Sequence, residues 1–586
     1  MKTLLEELST ILTMAFEEAG VSSRPIEVSY SRRPDLCDFQ CNSALKHASS
    51  VSKKPLVLAE EVAKILKKKS AFLEVSAEKP GFINLKLAAN WVSKRLKQMN
   101  QMDRLGCKAS DNPQNLLVDF GGANVAKSLH VGHLRSAVIG ESLIRLLYFT
   151  GHNVIGDIHL GDWGLQMGYV IEMVRLKDAS LPYFEETTLD GYPEEPPFDI
   201  VELTELYTQA NIKSKSDEAF KAKAAQATVE LQKGRKGYLA LWHHIMTVSK
   251  ADLKKNYDQL QVHFDLWLGE SDSQKHIPYV LKHLDEMKLL VESEGAKVVH
   301  VAKASDKKPM PPCIMQKSNG AALYATTDLA TIYQRTLDKN LDGIIYVVDK
   351  RQELHFEQVF RVAHISQMVS PALNLKFIGF GTMNGLDGKP FKTRDGGVMA
   401  LSDLIEMITK RALIKLEQYS QLESHEEKTQ AALKIGVGAL KFADLSNQTD
   451  RDYVFDMEQF TSFEGKTGPY IQYAIVRMTS ILNKLSEQKT EASENFSGKT
   501  AIEKALMIKL AAFSDWVHMA AETYQPSKIC DYAFDVAQTF NTLYHEVHVL
   551  YNSKKRQSEL MSLLNLTREI LEECLWLLGI ETLEKM

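Results

Sequence analysis

Residues 116–163, LLVDFGGANVAKSLHVGHLRSAVIGESLIRLLYFTGHNVIGDIHLGDW, decide the fold. The apolar run 116–120 has the length and composition of a buried parallel strand. A glycine turn follows, Gly121-Gly122-Ala123-Asn124. Leu134, Val138, Ile139, Leu143, Leu146 and Leu147 then recur at helical spacing, and Gly151 supplies a C-terminal stop. Residues 153–160 read as the next strand. Strand, glycine turn, helix and strand make the first half of a nucleotide-binding βαβ unit.

At the mouth of that helix stands His130-Val131-Gly132-His133. Residues three apart at a helix start share nearly one face, so both imidazoles can address one ligand. The helix N-terminus offers unpaired N–H groups and a positive dipole end, which suit phosphate. Gly132 has no side chain, so a flat base can lie close to the backbone there. Two imidazoles can donate hydrogen bonds to oxygens that gain charge in phosphoryl chemistry. His-x-x-His alone is a weak signal, and its place after a strand and a glycine turn is what raises it.

The chain has 586 residues, enough for several cores, and its 44% hydrophobic and 25% charged content is that of a soluble globular protein. A formal charge of −5 argues against a protein that binds nucleic acid over its whole surface and leaves room for one basic face. The cysteines at 37, 41, 107, 313, 530 and 574 are scattered, a reduced pattern with no spacing for a structural zinc site. The first twenty residues read as an amphipathic helix with Glu6, Glu7, Glu17 and Glu18, not as a secretory signal. No apolar run reaches the ~18 residues of a membrane span. The expectation is a cytoplasmic protein with no membrane contact.

Residues 1–112 read as a small α/β module: a helix, a half-buried strand at 25–30, a helix at 56–68, and strands at 72–77 and 81–87. The basic run Lys67-Lys68-Lys69 is a solvated helix end, with RNA phosphate contact as its functional reading. Residues 113–455 form the α/β part, interrupted by a helical insertion at 200–257. Its sheet is expected to resume at 298–301, 343–348 and 377–380. From residue 400 onward the periodicity is helical, and 456–586 is an all-helical domain in which 487–500 is expected as a flexible polar loop. The fold class is therefore α/β: a Rossmann-type parallel-sheet catalytic domain between a small N-terminal α/β domain and a helical C-terminal domain.

HVGH, preceded by ANVAK and followed by LRSAVIG and GDWGLQMG, resembles the HIGH signature of class I aminoacyl-tRNA synthetases in its arginyl form. DLCDFQCNSA and GFINLKL resemble that family's N-terminal tRNA-contacting extension, and FEGKTGPYIQYAIVR its anticodon-binding domain. The resemblance implies ligation of L-arginine to tRNA(Arg) with ATP and Mg²⁺, through an arginyl-adenylate and transfer to the 2′-hydroxyl of the terminal adenosine. It implies no structural metal, no DNA partner and a monomer.

The same resemblance assigns site residues. Binding a guanidinium needs carboxylates that accept a planar fork, with an aromatic beside them. Tyr324 and Asp328, at i and i+4, match the family's Tyr-x-x-x-Asp, and Asp119 stands at the C-terminal end of the first strand. Asn124 and Gln352 are placed at the α-amino and carboxylate end of arginine. His130, Gly132 and His133 are joined in the ATP set by Phe391 and Lys392. GKPFKTRDGGVMALSDL stands where the class carries its mobile KMSKS loop, with Lys389, Lys392 and Arg394 as its charges. Thr393 replaces the second lysine, and Lys127, just before the histidines, is its expected substitute. Tyr470, Tyr473 and Arg477 share one helix face at i, i+3 and i+7 and are expected on the anticodon loop, with Phe540, Tyr544 and the terminal Met586. Three rivals are weighed beside this reading: another class I synthetase, a catalytically silent tRNA-binding paralogue, and a metal hydrolase built on His130, His133 and His159.

Overall fold

The computed structural model describes residues 1–22, 25–185, 191–317, 322–389, 391, 399–419 and 422–586. The chain begins with a four-stranded antiparallel sheet of order β1-β2-β4-β3, built from β1 (Ser29–Tyr30), β2 (Phe39–Cys41), β3 (Phe72–Glu78) and β4 (Phe82–Leu87). Helices Leu4–Glu18 and Pro55–Leu66 accompany it. Of the strand expected at 25–30, only Ser29–Tyr30 pairs.

The central sheet is fully parallel, in the order β12-β11-β5-β6-β7. Its members are β5 (Asn115–Asp119), β6 (Asn153–Leu160), β7 (Leu266–Gly269), β11 (Gly343–Asp349) and β12 (Asn374–Phe380). The chain runs outward from β5 through β6 to β7, then returns to β11 on the other side of β5. That reversal opens a crevice at the carboxyl ends of β5 and β11, where open α/β sheets bind ligands. Leu116, Leu117 and Val118 are buried because both faces of the sheet are covered.

Helix Leu134–Phe149 covers one face and is buried all round from Leu134 to Leu143, not amphipathic as its spacing suggests. It lies so close to the sheet that a Cβ on Gly140 would overlap the Phe120 ring. Its other neighbours come from helices later in the chain: Arg135 Nε lies 3.1 Å from Asp444 Oδ2 of helix His425–Leu445, and Ser142 Oγ donates to Leu577 O of the C-terminal domain at 2.9 Å. The domain therefore seats directly on the histidine-bearing helix.

Helices Ile200–Lys213, Glu218–Gln232 and Lys236–Gln259 form the expected insertion, and they lead into β7, a short edge strand that the sequence pattern does not reveal. The apolar run at 298–301 does not resume the parallel sheet. It ends β9 (Ala296–Val299), which with β8 (Leu290–Ser293) and β10 (Cys313–Gln316) forms a separate antiparallel sheet. Periodicity identifies a strand but not its partner. Beyond residue 400 one extended pair interrupts the helices: β14 (Tyr453–Val454) lies parallel to β13 (Met383–Asn384).

Residues 487–500, expected as a flexible loop, are largely irregular yet docked. Phe496 is buried and its N–H donates to Ser93 Oγ of the N-terminal domain. Nearby, Tyr30 Oη donates to Asp515 Oδ2 at 2.9 Å and the Leu5 N–H donates to Asp515 Oδ1 at 3.1 Å. The two terminal domains thus share an interface of their own.

Candidate active site

A cleft of about 810 Å³ opens at the switch point. Its histidine end is set by backbone hydrogen bonds. His130 caps a short 3₁₀ turn, Val131–His133, that feeds the long helix. The Gly132 N–H donates to His130 Nδ1 at 3.0 Å, and the His130 N–H donates to His133 Nδ1 at 3.1 Å. Both Nδ1 atoms are acceptors, so both rings carry their proton on Nε2 when neutral. Burial and the charge of Lys127 push His130 down to about 4. Burial, with His130 and Lys127, pushes His133 down to about 3. At neutral pH the pair is two uncharged Nε2–H donors, their ring centroids 3.9 Å apart. The missing side chain of Gly132 also makes room for the first imidazole, since a Cβ there would stand 2.8 Å from His130 Cε1.

The loop expected to close over the triphosphate is anchored at both ends. Its stem is held by Gly385 N–H to Lys389 O at 2.8 Å and by Phe391 N–H to Met383 O at 3.3 Å. Past it, the Val131 N–H donates to Met399 O and the Leu401 N–H to Leu129 O, so residues 399–401 run beside the histidine motif. Phe391 lines the cleft and meets Phe455 edge-on at 5.8 Å. Lys389 is exposed, and Lys392 and Arg394 lie outside the described residues. Lys127 is half-buried, which pushes its amine down.

The other end of the cleft is acidic. Asn124, Tyr324, Asp328 and Gln352 all line it, so residues far apart in sequence meet as expected. Tyr324 is 64% exposed at the rim. Asp328 accepts from His355 Nε2 at 2.5 Å. Asp119 lines the floor, but its carboxylate is engaged by this chain's own Arg335 at 2.6 Å. A direct contact between Asp119 and a bound guanidinium therefore competes with an existing buried ion pair.

Glu270, which no sequence motif marks, adds a second acid to this end of the cleft. It lines the cleft, and burial, with Asp162 and Asp328 adding repulsion, pushes its carboxyl up to about 7. His159 also lines the cleft, with Nδ1 buried and unpartnered; burial and Arg335 push its imidazole down to about 4. Glu270 carries no local motif, being the first residue of a four-residue helix after an unrecognised strand. Among the described residues no group of three or more His, Cys, Asp or Glu side chains could hold a metal ion.

A family profile described as "tRNA synthetases class I (R), catalytic domain" matches residues 95–457. An arginyl-tRNA synthetase N-terminal profile matches 2–87, and a DALR anticodon binding domain profile matches 471–586. Arginine–tRNA ligase of Alkaliphilus oremlandii is 47% identical over 100% of both chains, and that of Agathobacter rectalis 46% identical over the same share. The chain belongs to the class I arginyl-tRNA synthetase family. Among solved structures, arginyl-tRNA synthetase from Plasmodium falciparum superposes with a TM-score of 0.80 at 26% identity over 100% of both chains. The Thermus thermophilus enzyme, at 22% identity and a TM-score of 0.78, shares the fold over 100% of both chains.

In this synthetase the aromatic stripe of the helical domain is a built surface. The Arg477 guanidinium lies over the rings of Tyr473 and Tyr544, 4.6 and 4.8 Å from their centroids. It donates to Asn541 Oδ1 at 3.0 Å and to Tyr473 Oη at 3.1 Å, while Asn541 Nδ2 donates to Tyr470 Oη at 2.7 Å. Tyr473 and Tyr544 are 38% and 37% exposed. Phe540 corrects the sequence reading: it is fully buried, a core residue of the helix that presents Tyr544, and offers no surface to RNA. Met586 packs on a small apolar cluster that Phe463 also joins, and Phe463 touches Tyr473. On the N-terminal domain, a polar hollow of about 340 Å³ is lined by Arg32, Arg33, Gln40, Asn42 and Phe82.

Proposed function

We propose that the chain joins L-arginine to tRNA(Arg) at the expense of ATP. One observation carries this reading: a single cleft holds two neutral Nε2–H donors at one end and the carboxylates of Asp328 and Glu270 at the other. The guanidinium sits against Asp328 and Glu270 with Tyr324 at the rim. Asn124 and Gln352 hold the α-amino and carboxylate groups and aim a carboxylate oxygen at the α-phosphorus. That oxygen forms the new P–O bond as the bond to pyrophosphate breaks; positioning and charge stabilisation do the work, with no enzyme nucleophile. His130 and His133 donate to phosphate oxygens as charge builds. Lys127, with Lys389, Lys392 and Arg394, supplies positive charge for the departing pyrophosphate, and Phe391 borders the nucleotide. Mg²⁺ travels with ATP and neutralises phosphate charge when bound; the described residues supply no dedicated cage for it.

The tRNA 2′-oxygen of the terminal adenosine then attacks the carbonyl of the adenylate and AMP leaves. Tyr470, Tyr473, Arg477 and Tyr544 receive unstacked anticodon bases. Met586 buttresses this face, and the Arg32–Arg33 hollow takes the outer corner of the tRNA. The reading includes a monomeric, cytoplasmic enzyme with no DNA partner; among the described residues no helix is long and apolar enough to cross a membrane. A catalytically silent paralogue has no observation in its favour. The test is ATP–pyrophosphate exchange with a panel of amino acids, with and without tRNA. Exchange with arginine alone supports the reading; exchange with another amino acid, or with none, removes it.

A further inference from the structure

A row of polar side chains crosses three neighbouring strands of the parallel sheet. Tyr346 of β11 stands in register with Asp119 of β5, and Asp119 in register with Asp157 of β6. All three meet Arg335 of helix Tyr324–Asp338. Its Nη2 donates to Asp119 Oδ2 at 2.6 Å and Asp157 Oδ2 at 2.5 Å, and its Nη1 donates to Tyr346 Oη at 3.1 Å. The guanidinium carbon lies 5.5 Å from the Tyr346 ring centroid. The whole cluster is buried, and Asp119 and Tyr346 form part of the cleft floor with Arg335 behind them.

Two carboxylates and a tyrosine around one planar cation are the acceptor set that recognises a guanidinium. The protein thus holds two such sets close together: the open one at Asp328 and Glu270, and a deeper one already filled by its own side chain. We propose that Arg335 is a resident guanidinium that occupies the deeper acidic cage and so halts the substrate's guanidinium at Asp328 and Glu270. This rests on the placement of the arginine pocket given above. The depth at which the guanidinium stops fixes where the far end of the substrate lies, and an arginine drawn into the deeper cage holds its carboxylate away from the α-phosphorus. Arg335 touches no substrate atom; it is a positioning residue. Leaving Asp119 and Asp157 unpaired would also set two buried like charges on adjacent strands, a vacancy that a free guanidinium fits.

The test is Arg335→Ala assayed by arginine-dependent pyrophosphate exchange, with folding checked by thermal melting. The expected result is a loss of about a hundredfold in kcat from misplaced arginine, with the KM for ATP unchanged. Methylguanidinium added at millimolar concentration restores activity, and methylammonium does not. A folded variant with normal kcat, or a loss that methylguanidinium leaves untouched, overturns the proposal. Should Arg335→Ala not fold, Tyr346→Phe removes only the hydroxyl that receives Nη1: a several-fold fall in kcat at unchanged ATP KM supports the proposal, and an unchanged kcat overturns it. The pocket placement is tested apart, by Asp328→Asn in the otherwise native chain. An unchanged arginine KM there removes the placement, whatever Arg335 variants do.

Discussion

The Nε2 atom of His355 lies 2.5 Å from a carboxylate oxygen of Asp328, and both side chains line the same wall of the cleft. The imidazole fixes one oxygen of the carboxylate and leaves the other for a ligand. Asp328→Asn should raise the KM for arginine about a hundredfold, the cost of leaving a desolvated cation without its partner, while the KM for ATP changes little. His355→Ala should raise it less, through orientation alone. Equal losses for arginine and ATP would count against this placement.

Glu270 gives the site a pH dependence. Its carboxyl is pushed up to about 7 by burial and by Asp162 and Asp328. A guanidinium needs the charged form, so the arginine KM should fall as pH rises from about 6 to about 8, and Glu270→Gln should flatten that profile at a higher KM. Stability moves the other way. The unfolded carboxyl ionises near 4.5, so between there and about 7 the native state holds a proton that the unfolded state has lost. The contribution of Glu270 to stability therefore declines as pH rises through that window. Melting of native and Glu270→Gln proteins across the window reads the difference.

Lys127 supplies a charge beside the histidines, and its removal should act on the chemical step. Lys127→Ala should lower the kcat of adenylation about ten- to a hundredfold with the arginine KM unchanged. A normal rate in single-turnover adenylate formation would leave this lysine without a catalytic part.

Tyr473 and Phe540 are aromatic residues of one domain with opposite fates. Tyr473→Ala and Arg477→Ala should raise the KM for tRNA about tenfold, in line with ~1–3 kcal/mol per stacked base, with little change in melting temperature. Phe540→Ala empties a fully buried site and should cost about 3–5 kcal/mol of stability. Calorimetry beside tRNA titration separates the two effects.

Gly140 is a third structural test. A methyl group there meets the Phe120 ring, so Gly140→Ala should destabilise by ~1–3 kcal/mol despite its better helix propensity. The shift also moves the histidine helix away from β5, so adenylation should fall with the melting temperature.

Much of the site was legible in the sequence because its marks are local. His130 and His133 share one turn, Tyr324 and Asp328 are one helical turn apart, and the strand, glycine turn and helix that carry Asp119 and Asn124 follow one another without a break. Glu270 and Arg335 were not legible. Glu270 reaches the cleft from the end of a four-residue edge strand, and Arg335 meets Asp119 across 216 positions of sequence. The antiparallel sheet at 296–299 shows the same limit, since an apolar run pairs with whichever strand the packing brings to it.

By itself, the sequence determined the class of fold, the order of the three domains and the histidine and tyrosine–aspartate motifs, because backbone periodicity and short-range spacing are written in neighbouring residues. The tertiary structure alone decided which acids are free for a ligand and which aromatics face water. Asp119 carries the same carboxylate as Asp328, yet a distant arginine neutralises it. Phe540 lies on the same helix as Tyr544, yet it points into the core. Charge compensation and burial are properties of the neighbours a residue acquires on folding, and those neighbours come from anywhere in the chain.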